Sequence, residues 1–336
     1  MSQARRAPRV ALRITVTAVA LTLALRKVSF ASLGDRLGNV TLPWALALGA
    51  LTTAVVTLSV ARWWRLLRRL GEKVPFAALF GDTTVGLLYN LFLPTSVGGD
   101  VVRALRARRR VVDPARAWSS SLFERLSGLV TMAGLGAAAA ALGGARAGGL
   151  PSSVVAASVG LAAALVLLFF WADAPFRFAL HALEGRLPAA AAHDARGIVR
   201  DLRGPLATAA ARGEAVAWSL LYQAASLLFM VAGAAALGAP GHEAALLVGV
   251  PLITVLSLAP ISLGGHGLRE GLYVGVLGAL GVPADVAMGL DALWLASSLA
   301  FAGVGALAAL REPTGVTGGA GPPPGPAPGH TGARGT

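Results

Sequence analysis

Apolar residues in this chain gather in long continuous blocks instead of alternating with polar ones. The blocks lie near 12–30, 42–61, 76–97, 118–142, 151–172, 214–237, 245–263, 266–281 and 285–310. Most of them reach the length of about 17–25 residues that an α-helix needs to cross the hydrocarbon core of a bilayer. The pattern therefore predicts an all-α polytopic membrane protein.

Basic residues concentrate in particular connections between these blocks. The N-terminus and the stretches 62–75, 98–117 and 173–213 are rich in Arg and Lys, whereas 143–150 carries a single Arg. Short connections rich in Lys and Arg stay in the cytoplasm. We therefore expect a multi-pass protein of the cell membrane with both termini cytoplasmic. Orientation accounts for most of the net charge of +13, so we expect no nucleic-acid partner.

The block at 76–97 has a basic connection on each side, so a simple crossing would place one of them outside the cell. We expect this block to form a re-entrant hairpin instead, which is permitted where protein or a wet cavity satisfies the backbone. The blocks 245–263 and 266–281 predict a second hairpin that enters from the opposite side. The prediction is about six full spans with two opposed re-entrant hairpins, and eight or nine ordinary spans are the alternative.

The domain organisation follows from the same pattern. Residues 1–311 form the predicted integral membrane domain, with halves at roughly 10–142 and 151–311. Residues 312–336 are rich in Pro and Gly and predict a disordered cytoplasmic tail. The chain has no Cys, which excludes disulfides and Cys-ligated metal sites, and we expect neither a metal nor a cofactor.

One motif, P-x-S-x-G-G-x-x-x-R, occurs at both interruptions of the apolar pattern, with its copies 166 residues apart. Its Ser, Gly and Arg positions, which are the predicted substrate-binding residues, are Ser96, Gly98, Gly99 and Arg103 in the first copy and Ser262, Gly264, Gly265 and Arg269 in the second. Three predicted crossings separate the copies, so they face opposite sides of the membrane. This is the pattern of an inverted-topology repeat, whose substrate site lies at the repeat interface.

Each residue type in the motif has a physical role. Pro ends the incoming helix, and the Gly pair lets the backbone turn. The N-terminus of the following helix attracts anions, and an Arg one turn later pairs with a phosphate through two hydrogen bonds. The alternative is that the motif only shapes the turns.

Ionisable residues also occur within or beside the apolar blocks, where a lone charge is costly. The predicted pairing or proton-coupling residues are Asp82, Asp100, Glu124, Arg125, Glu270 and Asp291. Glu124 and Asp291 are candidate proton carriers, one in each half, and a packing salt bridge between Glu124 and Arg103 is the alternative. Gly303 and Gly305 predict a face for helix packing.

The stretches 89–94 (YNLFLP), 96–103 and 260–270, together with Glu124-Arg125, resemble the flippase-like family. This family is the lysylphosphatidylglycerol synthase transmembrane region, and the resemblance covers about residues 10–310. It implies a role in moving or handling lipids across the cytoplasmic membrane. Full-length synthases add a soluble aminoacyl-transferase domain, whereas only a Pro/Gly-rich tail follows here, so we expect a stand-alone member without that activity.

These observations favour a translocase of an anionic lipid or lipid-linked intermediate, with membrane lipids as its partners. No catalytic or Walker motif is present, so we expect no enzymatic activity, and transport would depend on ion gradients or mass action. One alternative is a membrane-embedded enzyme that acts on a lipid head group, with Glu124 and Asp82 as acid and base. Another is a non-transporting scaffold that binds a separate cytoplasmic lipid-modifying enzyme.

Overall fold

Helices form all the regular structure in the part of the chain that the computed structural model describes. The described residues are 30–92, 98–144, 152–171, 173–182, 186–257 and 268–310. The prediction of an all-α protein is confirmed for these ranges. Among them, three helices are long and apolar enough to cross a membrane, at Leu42–Arg69, Ala209–Ala236 and Ala284–Leu307.

Some predicted features lie outside the described residues. They are nearly all of the first apolar block, Ser96 of the first motif, Ser262, Gly264 and Gly265 of the second motif, and the tail at 312–336.

The described helices are given in chain order, and two of them, α4 and α11, carry the motif arginines. They are α1 (Phe30–Gly38), α2 (Leu42–Arg69), α3 (Phe76–Phe92), α4 (Gly98–Ala107), α5 (Pro114–Gly144), α6 (Ser152–Phe170), α7 (Asp173–Ala182), α8 (Ala189–Arg203), α9 (Ala209–Ala236), α10 (Glu243–Leu256), α11 (Leu268–Leu272) and α12 (Ala284–Leu310). Helix α11 continues directly into a π-helical segment, Tyr273–Leu277. Such segments are rare in proteins, and those that do occur are often found at functional sites.

Helix α2 extends beyond the apolar block that predicted it. The block ends at residue 61, but the helix continues to Arg69 because Trp63 and Leu67 are fully buried on its inner face. The assignment of Arg62 to a connection between spans is therefore wrong. This arginine lies within a buried stretch of helix.

The same local structure occurs twice in the chain. Helices α2 and α9 both contain 28 residues. Each is followed by a glycine in the left-handed region, Gly71 with φ 85° and Gly238 with φ 71°, a conformation that side chains other than glycine rarely adopt. The connections to α3 and α10 then have equal length. Thus α2–α5 and α9–α12 form two similar four-helix units.

The helices of each unit pack against helices of the other unit. Helix α2 packs along α9, α3 packs against α12, and α10 packs against α5. An apolar cluster joins the two units, with Leu48 and Met132 from the first unit and Phe229, Leu246 and Leu277 from the second. The walls of a central cavity thus come from both units.

Ion pairs between α2 and α9 show the relative direction of these helices. Arg65 and Arg69, near the end of α2, bind Glu214 near the start of α9, with N–O distances of 2.6 and 2.5 Å. At this same end of the bundle, Trp63 donates a hydrogen bond to Ser120, near the start of α5. Helices α2 and α9 therefore run antiparallel, and α5 begins where α9 begins.

Helix α12 begins at the opposite end of the bundle. Gly233 and Leu237, at the end of α9, lie against Leu290 and Gly289, near the start of α12. Arg36 of α1 binds Asp285 at 2.5 Å and donates to the carbonyl oxygen of Leu237 at 3.0 Å. The corresponding helices α5 and α12 thus start from opposite ends.

Helix α8 lies against the start of α5, where the basic connections meet. Arg200 binds Asp113 at 2.7 Å, and Ser119 donates to Asp201 at 2.8 Å. Asp113 also accepts a hydrogen bond from the Ala115 N–H and so caps α5. Partial burial by itself raises the pKa of Asp113, but the hydrogen bonds from Arg200 and Ala115 outweigh it, so the pKa is lowered. The charged aspartate is the form that holds α8 in place.

Candidate functional site

A polar cavity of about 440 Å³ lies between the two units. Its walls come from α2, α3, α4 and α5 of the first unit and from α9, α10, the α11 region and α12 of the second. The charged residues that line it are Arg62, Asp100, Arg103, Glu124, Arg125 and Arg269. The structure therefore brings both motif arginines to one cavity, together with three of the predicted pairing residues.

Arg103 lies deep in the cavity wall on α4. Its Nη2 donates to Glu124 Oε2 at 2.7 Å, and both side chains are less than 10% exposed. Its Nε lies 3.1 Å from Asp100 Oδ1, and its guanidinium stacks over the ring of Trp63 at 4.8 Å. The packing salt bridge between Glu124 and Arg103 is thus present.

Arg125 follows Glu124 on α5 but points in another direction, as residues about 100° apart on a helix do. It forms an ion pair with Asp100, which also contacts Arg103. Two arginines and two carboxylates thus form one charged group at the first motif.

Arg269 forms the corresponding contact in the second unit. Its Nε lies 2.6 Å from Asp291 Oδ1 on α12, and its guanidinium lies 5.5 Å from the ring of Tyr273. Its Nη2 is buried without a hydrogen-bond partner. The next residue, Glu270, is partly buried and is not part of the cavity wall.

The two motif arginines are therefore paired in the same manner. Each binds an acid on the long helix that follows its motif, Glu124 after 21 residues and Asp291 after 22. Removing either partner of a buried salt bridge is costly, because the other charge then remains away from water without a counter-ion. The pairs hold α4 to α5 and the α11 region to α12.

The glycines of the first motif act differently from the prediction. Gly98 and Gly99 are absent from the residues with positive φ, so neither is needed for an unusual backbone conformation. A Cβ on Gly99 would lie 2.3 Å from the carbonyl oxygen of Gly86, which no side chain permits. The Gly99 N–H donates to Asn90 Oδ1 at 2.6 Å. Gly99 therefore lets α4 pack closely on α3, and its N–H is used within the protein instead of binding an anion.

Arg62 is a cavity residue that the sequence analysis missed. It is 5% exposed, and its Nη2 donates to the backbone carbonyl of Glu124 at 2.7 Å. Its guanidinium stacks on the ring of Tyr222 at 4.7 Å and lies against Gly128. The hydrophobic pattern does not separate Arg62 from the other basic residues of 62–75, and its place inside α2 comes from the structure.

Asp82 lies outside the cavity, although the sequence placed it among the ionisable residues of the spans. It is fully buried on α3 and binds Arg106 at 2.9 Å and Arg110 at 3.2 Å. These contacts fasten the end of α4 and the following connection to α3. An acid–base pair of Glu124 and Asp82 has no support in this arrangement.

We expect Asp82→Asn to lower the free energy of unfolding by about 2 kcal/mol, because an uncharged amide at this buried position weakens the charged hydrogen bonds from Arg106 and Arg110. The cost stays moderate because Arg106 and Arg110 are 22% and 38% exposed and remain hydrated. Thermal unfolding in detergent measures the change, with Asp35→Asn on the partly exposed α1 as the control. An unchanged melting temperature for Asp82→Asn would contradict the structural role.

Within the described ranges, no group of three or more His, Asp or Glu side chains is placed to hold a metal ion. A model of the family described as lysylphosphatidylglycerol synthase TM region matches residues 10–306 of the chain. No curated protein and no solved structure matches the chain.

Proposed function

This chain belongs to the family of the lysylphosphatidylglycerol synthase transmembrane region, and from this premise we propose that it translocates an anionic lipid or lipid-linked intermediate across the cell membrane. Membership supports a membrane function related to lipids. The observation that carries the proposal is the placement of Arg103 and Arg269, one from each unit, in the wall of a single cavity.

The direction of the helices supports an inverted-topology repeat. Helices α2 and α9 run antiparallel, and α5 and α12 begin at opposite ends of the bundle. Two units with this relationship present equivalent surfaces to the two sides of a membrane, with the substrate site at their interface. We propose that α3–α4 and α10–α11 are the two re-entrant hairpins, with about six full spans around them and both termini in the cytoplasm.

The paired charges suggest how an anionic head group is accommodated. Glu124 and Asp291 form ion pairs with the motif arginines. A phosphate competes with each carboxylate for its guanidinium, since both anions accept two hydrogen bonds from arginine. A carboxylate that loses its arginine inside the membrane is an unpaired charge, which protonation removes. We propose that Glu124 and Asp291 couple transport to protons in this way.

Leaflet exchange in liposomes tests this function. We expect the purified protein to move a fluorescent phosphatidylglycerol between leaflets, and Arg269→Ala to reduce the rate about tenfold or more because a charged hydrogen-bond donor is lost from the site. Arg68→Ala, on the exposed end of α2, serves as the matched control with an unchanged rate.

The same experiment separates the alternatives. A chemically altered lipid without exchange would favour a membrane-embedded enzyme that acts on the head group. Neither exchange nor a new product would favour a scaffold for a separate cytoplasmic lipid-modifying enzyme. Either result, or full exchange by Arg269→Ala, would contradict the proposed function.

A further inference from the structure

Arg62 differs from the other cavity arginines in its partners. Arg103 pairs with Asp100 and Glu124, Arg125 pairs with Asp100, and Arg269 pairs with Asp291. Among the described residues, Arg62 forms no ion pair within 4.0 Å and instead contacts a backbone carbonyl and an aromatic ring. Within the described part of the chain, Arg62 is thus a cavity guanidinium with no carboxylate in direct contact, although the charge of Glu124 acts on it from a greater distance.

The guanidinium of Arg62 is held in position for a ligand. One Nη2 hydrogen bond and the stacking on Tyr222 fix its plane, and a Cβ on Gly128 would lie 2.9 Å from the same nitrogen. Its Nε is buried and has no hydrogen-bond partner. A buried charge without a counter-ion is costly and marks functional sites in membrane proteins. An anion bound here would supply both the missing charge and the missing acceptor.

An apolar side pocket of about 80 Å³ adjoins the cavity. It lies between α2, α3 and α12, and it shares Ser59, Leu87, Tyr222, Trp294 and Ser298 with the cavity. Its lining is almost entirely apolar, which suits a hydrocarbon and not a head group.

The pocket follows the same face of α2 that carries Arg62. Thr52, Val55 and Ser59 line it, and they precede Arg62 by ten, seven and three residues, the spacing of one helix face. A molecule with its anion at Arg62 therefore has the apolar side pocket further along the same face of α2.

From these contacts we propose that the cavity binds one phospholipid, with its phosphate on Arg62 and the beginning of one acyl chain in the side pocket between α2 and α12. This inference rests on the proposed function and names the residue that holds the anion of the lipid and the pocket that holds the start of its chain. The motif arginines then guide the head group, whereas Arg62 provides the resting anion site.

Native mass spectrometry of the full chain in detergent tests this site, with dipalmitoyl phosphatidylglycerol and glycerol 3-phosphate as the two probes. We expect Arg62→Gln to weaken phosphatidylglycerol binding about tenfold or more, and Arg68→Gln to leave it unchanged. Arg62→Lys keeps the charge but loses the planar pair of donors, so we expect an intermediate loss.

The side pocket has its own pair of variants. Val56→Phe fills the pocket, and Thr57→Phe adds the same bulk to the exposed face of α2. We expect only Val56→Phe to weaken phosphatidylglycerol binding, with the weak binding of glycerol 3-phosphate unaffected. This comparison remains informative if the Arg62 variants fail to fold, as judged by gel filtration and thermal unfolding.

Three results would overturn the inference. They are wild-type lipid binding by folded Arg62→Gln or Val56→Phe, equally tight binding of glycerol 3-phosphate and the lipid, and no lipid binding by the wild type. Leaflet exchange keeps this separate from the proposed function. If the wild type exchanges lipid and Arg62→Gln exchanges it at the same rate, only the Arg62 site is overturned. If the wild type binds phosphatidylglycerol but exchanges none, only translocation is overturned.

Discussion

Glu124→Gln is expected to abolish lipid exchange and to lower the free energy of unfolding by about 3–5 kcal/mol. The substitution keeps the shape of the side chain but removes the charge that faces Arg103 at 2.7 Å. Both side chains are almost fully buried, so water cannot replace the lost contact. Arg103 then keeps only Asp100, at 3.1 Å, which is itself shared with Arg125, so its guanidinium loses its shortest and most buried ion pair.

Thermal unfolding and leaflet exchange measure the two effects of Glu124→Gln. Glu243→Gln on the exposed start of α10 provides the control, since this glutamate contacts only its own turn. The double variant Arg103→Gln, Glu124→Gln adds a second test, because removing both charges of a buried pair costs less stability than removing one of them. Exchange by Glu124→Gln at more than half of the wild-type rate would show that the pair is dispensable.

Gly305→Ala is expected to prevent the native packing of α12 on α3, with a loss of about 3 kcal/mol or more. A Cβ on Gly305 would lie 2.3 Å from the carbonyl oxygen of Thr84 and 2.8 Å from the Val85 nitrogen. Both atoms belong to the backbone, so no change of side-chain rotamer relieves the clash. Overpacking usually costs about 1–3 kcal/mol, and a backbone clash belongs at or above the upper limit.

The neighbouring glycine supplies the matched control for Gly305→Ala. A Cβ on Gly303, on the same helix, would meet nothing within 4 Å. We expect Gly303→Ala to fold and exchange lipid like the wild type, and Gly305→Ala to give little folded protein in gel filtration. Equal yields and melting temperatures for the two variants would mean that α3 and α12 are not in contact. The sequence had placed both glycines on a packing face, which is wrong for Gly303.

Much of this architecture can be predicted from the hydrophobic pattern of the sequence. Block length and charge predict the helices because the bilayer sets a minimum apolar length and retains basic loops on one side. The repeated motif also pointed to Arg103 and Arg269 as residues of one site. These features depend on the local sequence, which a single chain displays directly.

Other features depend on how the helices are rotated against one another. Arg62 was assigned to a basic connection, and only the packing of α2 on α9 turns it towards Tyr222 and the cavity. Asp82 is a charged residue in an apolar block like Glu124, yet its partners are Arg106 and Arg110, outside the cavity. Hydropathy records how apolar a segment is, but not which neighbour each side chain meets.

Cysteine cross-linking tests the central claim, that the two units enclose one shared cavity. The chain has no native cysteine, so Leu87→Cys on α3 and Thr254→Cys on α10 can be introduced without background. Both positions line the cavity. A flexible bis-maleimide should join them within one molecule, whereas Leu87→Cys paired with Val112→Cys in the exposed connection should give no such product. A folded Leu87→Cys, Thr254→Cys variant that yields no intramolecular cross-link in native membranes would contradict the account.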